Sequence, residues 1–133
     1  MQILFTTIAQ GISSGYRNAD QLIIDTTKQW EQLWQEHTSD TIPPLETPPI
    51  DFDDNLVIAV FSGEKPTSGY GIEVVSVAIK DMQSCDCTRL IVRVQYGLPG
   101  SVSQEVITHP HHIIQLPQIG MLQGTPRVLF EEA

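Results

Sequence analysis

A chain of 133 residues that is 41% apolar and 17% charged has the material for one buried core and too little polarity to stay disordered. Sixteen acids against seven bases leave a net charge of -9, which repels phosphate backbones and excludes nucleic acid as a partner class. No apolar run approaches the roughly eighteen residues that a membrane span needs, so no span is expected.

Residues Met1 to Gln10 carry no Lys or Arg ahead of their short apolar run and do not read as a secretory signal. The cytoplasm is the default compartment, with a secreted or periplasmic location left open if a leader has been trimmed. Residues 2–9 mix β-branched and aromatic types and predict a strand, and Gly11, Ser13, Ser14 and Gly15 predict a turn after it. Leu22 to Ile24 reads as a brief strand or as the lead-in to a helix. Thr26 and Gln29 have the form of a capping box. Trp30, Leu33, Trp34 and His37 then share one helical face, which predicts a packed α-helix over about residues 27–37.

Pro43, Pro44, Pro48 and Pro49 forbid helix between Thr38 and Asp51. That stretch is expected to be a stiff strap across the outside of the domain, the other reading being a ligand for a proline-binding domain. A turn over Asp51 to Asn55 leads to Leu56–Phe61, apolar at every position and expected to be covered on both faces. In the next strand, Ile72, Val74 and Ala78 are expected on one face and Val75, Val77 and Ile79 on the other. Residues 80–88 read as a polar loop. From Arg89 to Tyr96 the pattern alternates, with Leu90, Val92, Val94 and Tyr96 inward. Gln104–Ile107, His111–Leu116 and Arg127–Phe130 complete the predicted strands. The fold class that follows is mainly β, an antiparallel β-sandwich or roll with one packed helix, and residues 1–133 are expected to form a single domain.

The centre of the pattern is the turn between Phe61 and Ile72. Pro66 fixes its own φ, while Gly63, Gly69 and Gly71 permit positive φ or the close approach of another chain. Thr67 and Ser68 offer hydroxyls to nearby backbone. Two readings stand: a long connection between strands, or a rigid recognition loop carried by Gly63, Lys65, Pro66, Thr67, Ser68, Gly69 and Tyr70.

Chemistry is sparse elsewhere. His109, His111 and His112, with Cys85 and Cys87, are types that bind zinc or copper. Strand geometry places His109 and His111 on one face and His112 on the other, and a single residue between the cysteines is tight for zinc and strained as a disulfide. The histidines are therefore expected to be partly exposed strand and loop residues, and the cysteines free thiols; no metal and no other cofactor is expected. Neither a nucleophile elbow, a zinc-protease helix nor a phosphate loop is present, so the protein is not expected to be an enzyme.

The helix with Trp30 and Trp34, the Ile50-Asp51-Phe52 step, the strand Leu56–Phe61 and above all Gly63, Pro66, Thr67, Gly69 and Tyr70 resemble the C-terminal domain of PrcB, a protease-complex subunit family. Thr108, Pro110, Ile113 and Ile114 match a later family segment, in which His111 stands where the family has a tyrosine. Pro66 to Tyr70 is also similar to a loop of chagasin-type cysteine-protease inhibitors, small β-sandwiches that insert it into the protease cleft. Both resemblances imply a non-catalytic domain whose partner is another protein, a protease among the candidates. They differ on the role. The first implies an accessory or stabilising subunit, the second direct inhibition of papain-type enzymes. A metal or small-ligand site at the histidines is the reading from a different class.

Overall fold

The computed structural model describes residues 2–43, 45–82, 87–100, 104–118 and 127–133. Its elements are β1 (Thr6–Gly11), β2 (Ala19–Ile24), α1 (Thr27–His37), β3 (Asn55–Ser62), β4 (Gly71–Met82), β5 (Cys87–Gly97), β6 (His111–Pro117) and β7 (Arg127–Glu132). One antiparallel sheet has the order β1-β6-β3-β2 and a second the order β4-β5-β7. Over the described residues the protein is thus a mainly β, two-sheet sandwich with one helix, as the pattern predicts. β7 runs parallel to β5 in a fold expected to be mostly antiparallel.

β3 explains the layering. Its side chains alternate, so Leu56, Ile58 and Val60 enter the space between the sheets, with Val74, Val77, Leu90, Val92 and Ile114. Val57, Ala59 and Phe61 face the other way, onto Trp30, Leu33, Trp34 and Ile113. One strand serves two cores, which is why no polar residue interrupts it.

The helix starts where the cap predicts. Thr26 Oγ1 accepts the Gln29 N–H at 3.2 Å, and Gln29 Oε1 reaches back to the Asp25 N–H at 3.3 Å, one residue earlier than a standard capping box. Trp30 and Trp34 are both buried. Their indole N–H groups donate to the carbonyls of Pro48 (2.9 Å) and Leu45 (3.2 Å), so residues 45–50 lie over the helix as a strap. At the helix end the Gly15 N–H donates to the His37 carbonyl at 2.8 Å, and a Cβ on Gly15 would collide with the Glu36 carbonyl. No larger residue fits that approach.

Several expectations need correction. β1 begins at Thr6, not at residue 2, because Gln2 and Ile3 pair instead with β4: Gln2 bridges Ala78, and the Ile3 N–H donates to the Val77 carbonyl at 2.8 Å. β2 is a full six-residue strand, in register with β3 from Ala19–Ser62 to Ile24–Val57. In β4 the register against β5 shifts between Val74 and Ser76. This bulge at Val75 resets the alternation, so Ile72, Val74, Val77 and Ile79 are all buried while Val75 is exposed. Tyr96 is exposed at the end of β5, not inward. β4 extends to Met82 and β5 begins at Cys87, so the polar loop expected over 80–88 is shorter than predicted. The expectations for Cys85 and for the Cys87 side chain fall outside the described residues.

Candidate functional site

The loop from Gly63 to Tyr70 leaves β3 through one strained position. Gly63 has φ 80°, and a Cβ there would lie 3.2 Å from the Cβ and backbone nitrogen of Ala19. Both facts favour glycine. Beyond it, Lys65 pairs with Thr108 through two backbone bonds, N–H to carbonyl at 2.8 Å and the reverse at 2.9 Å. The Thr108 hydroxyl donates to the Thr67 carbonyl at 2.9 Å, and Thr67 Oγ1 accepts the Gly69 N–H at 3.3 Å. Ser68 is held twice by Gln104: its N–H donates to the Gln104 carbonyl, and its hydroxyl oxygen accepts the Gln104 N–H, each at 3.0 Å.

Residues 104–108 are therefore a buttress for the loop and not the strand expected at 104–107. A backbone bond from the Val106 N–H to the Gln104 carbonyl (3.0 Å) turns that segment tightly instead. With the backbone so held, Glu64 and Pro66 remain exposed, and Lys65, Thr67, Ser68, Gly69 and Tyr70 are half-buried. Tyr70 neither stands free nor enters the core; Lys65 Nζ lies 5.4 Å from its ring centroid. Val106 and Ile107 of the buttress expose apolar side chains beside the loop.

The histidines depart most from expectation. All four in the chain are buried, none more than 8% exposed. His111 and His37 meet edge to face at 4.4 Å between centroids, under the C-terminal end of α1. His37 Nδ1 shares a 2.7 Å hydrogen bond with the Ser14 hydroxyl, whose oxygen also accepts the Tyr16 N–H. This serine–histidine pair is buried, 2% exposed at the serine. Burial, and next the His37 ring, push the His111 imidazole down to about 4; burial also lowers His37. His111 Nδ1 has no hydrogen-bond partner among the described residues.

His112 points into the sandwich, away from His111. Its Nδ1 accepts the Val74 N–H at 2.8 Å, so its Nε2–H donates to Thr7 Oγ1 at 2.8 Å. One neutral imidazole thereby joins β6 to β1 and to the other sheet. Burial lowers its affinity for a proton, with nearby Glu73 acting the other way. His109 instead lies near Arg17 Nη1 (3.4 Å) and Glu64 Oε1 (3.8 Å). The three rings do not converge, and no group of three or more His, Cys, Asp or Glu among the described residues is placed to hold a metal.

Beside the loop, a cleft of about 290 Å³ opens between the edges of the two sheets. Gln10, Gly11 and Ile12 line one side, and Gly71, Ile72, Glu73, Gln95 and Gly97 the other. Sequence reading did not assemble it. The glycines that make it were legible singly as turn residues, but their meeting depends on how the sheets stack. Among the described residues, no helix is long and apolar enough to cross a membrane.

No curated protein and no solved structure matches the chain. A family model described as PrcB C-terminal matches residues 56–117, from the start of β3 to the end of β6. The match contains the loop, its buttress and three of the four histidines, and leaves the tryptophan helix and the strap outside. The resemblance read from Gly63, Pro66, Thr67, Gly69 and Tyr70 is thus supported by an independent comparison, and residues 56–117 of this chain are similar to the PrcB C-terminal family.

Proposed function

We propose that this protein is a non-catalytic protein-binding domain, an accessory or stabilising partner of a protease or other protein complex, and that Gly63–Tyr70 is its recognition loop. The observation that carries this reading is the loop's support. Six hydrogen bonds, five of them to the buttress at 104–108, fix the backbone around Thr67, while Glu64 and Pro66 stay exposed. A loop ordered in advance loses little conformational freedom on binding, and Pro66 lowers that cost further. The family match over 56–117 supports a domain related to protease complexes and adds nothing about the partner's identity.

The test is an affinity purification from native lysate with the intact protein and a Pro66→Gly, Thr67→Ala double variant. Both positions lie outside the two cores, so the variant should melt within about 1 kcal/mol of the parent. A protease-containing complex retained by the parent and lost by the folded variant is the expected result. Equal recovery by both would reduce the loop to scaffold. Inhibition of papain by the purified protein would replace the accessory role with that of an inhibitor.

A further inference from the structure

The cleft next to the loop has a composition that selects a ligand. Its floor exists because three chain segments present glycine at one place. Gly71 and Gly97 are paired across β4 and β5, and a Cβ on Gly97 would lie 3.2 Å from the Gly71 nitrogen. A Cβ on Gly71, by contrast, would meet nothing within 4 Å, because it would project into open space. Ile12 and Ile72 supply apolar walls, and Glu73, Gln10 and Gln95 supply the polar groups. The Glu73 carboxylate already reaches across to the Gln10 amide, weakly, at 3.5 Å. Among the described residues, neither Lys nor Arg lines the cleft.

We propose that this cleft receives an arginine side chain from the partner protein. The aliphatic stem lies between Ile12 and Ile72, and the guanidinium takes the Glu73 carboxylate and the amide oxygens of Gln10 and Gln95. A cleft with apolar walls, one carboxylate and neutral acceptors fits a long side chain that buries its stem and keeps its charge at the mouth. Several acceptors in one place favour the planar, five-donor guanidinium over the compact ammonium of lysine. The proposal rests on the protein-binding reading only in taking the ligand from a protein; the cleft is separate from the loop residues named above.

The probe is N-acetyl-arginine amide, titrated into the intact protein while backbone amide shifts are followed. Saturable shifts at Gly11, Gly71, Ile72 and Gly97 are expected, with the uncharged citrulline counterpart at least about tenfold weaker. Glu73→Gln, an exposed position, should bring arginine down to the citrulline level. Gly71→Leu should fill the cleft and abolish the response to both. If Gly71→Leu fails to fold, Glu73→Gln still decides. Absence of saturable shifts, equal responses to arginine and citrulline, or an arginine response unchanged in Glu73→Gln would each overturn the proposal. The probe needs no partner, so its failure leaves the loop reading standing, and failure of the loop variant leaves this site untouched.

Discussion

β3 and β6 separate two cores of different chemistry. Between the sheets the packing is almost wholly aliphatic: Leu56, Ile58, Val60, Val74, Val77, Leu90, Val92 and Ile114. Its one imidazole, His112, has both nitrogens engaged. On the other face, under α1, the packing is aromatic, with Trp30, Trp34 and Phe61 against the His37–His111 pair. Aliphatic contacts do not respond to protons, whereas neutral imidazoles buried among rings do. Acid should therefore reach the helix face through His37 and His111, and the sandwich face only through His112.

The comparison can be broken most severely from the helix side. Trp34→Ala removes a buried ring and leaves its neighbours unsupported, and should cost about 3–5 kcal/mol in chemical denaturation. An unchanged melting temperature would show that the helix layer contributes nothing to the fold.

Acid provides the next largest effect, and its sign follows from the histidines. His37, His111 and His112 hold protons less tightly in the native protein than in the unfolded chain, so between pH 6.5 and about 4 the unfolded state binds more protons. Stability is complete above pH 6.5 and is lost as pH falls toward 4, by about 3 kcal/mol from His111 alone. Melting curves across this range should show the loss, and His111→Leu should flatten it. A sandwich-core variant such as Ile58→Val should lower stability equally at every pH. Parallel pH profiles for His111→Leu and the parent would remove the distinction between the cores.

Smaller still is the effect of His112→Ala. It strands the Val74 N–H and the Thr7 hydroxyl and should cost about 1–3 kcal/mol. A protonated His112 can no longer accept from Val74, so this cost should shrink at low pH. A cost that is constant from pH 8 to pH 4 would mean that the ring acts by filling space only.

The helix was legible because one face carries both tryptophans and a cap precedes it. β3 was legible because six consecutive apolar residues have few other uses. β4 was not. Ile72, Val74, Val75, Val77 and Ile79 place apolar residues on both parities, so the pattern cannot reveal a bulge that resets the inward set. The loop residues showed themselves through proline and glycine, whereas their buttress at Gln104–Thr108 has the composition of a strand and is defined by contacts distant in sequence. The histidines misled for a physical reason. Imidazole is polar on a hydropathy scale, yet a neutral ring with partners packs as an aromatic. Ser14, Val74 and Thr7, which serve His37 and His112, lie 23, 38 and 105 residues away from them.

The bulge at Val75 has a counterpart in β1, where the register against β6 shifts between Thr7 and Ala9. β1 and β4 are edge strands of their respective sheets, and His112 bonds to the residue just before each irregularity, Thr7 and Val74. A straight, unpaired edge is a template on which other chains can aggregate. Here both neighbouring edges are kinked, one outward N–H is occupied by an imidazole, and Ile3 covers the next stretch at Val77. The same irregularities that obscured the strand pattern therefore make this side of the sandwich a poor template for edge-to-edge pairing.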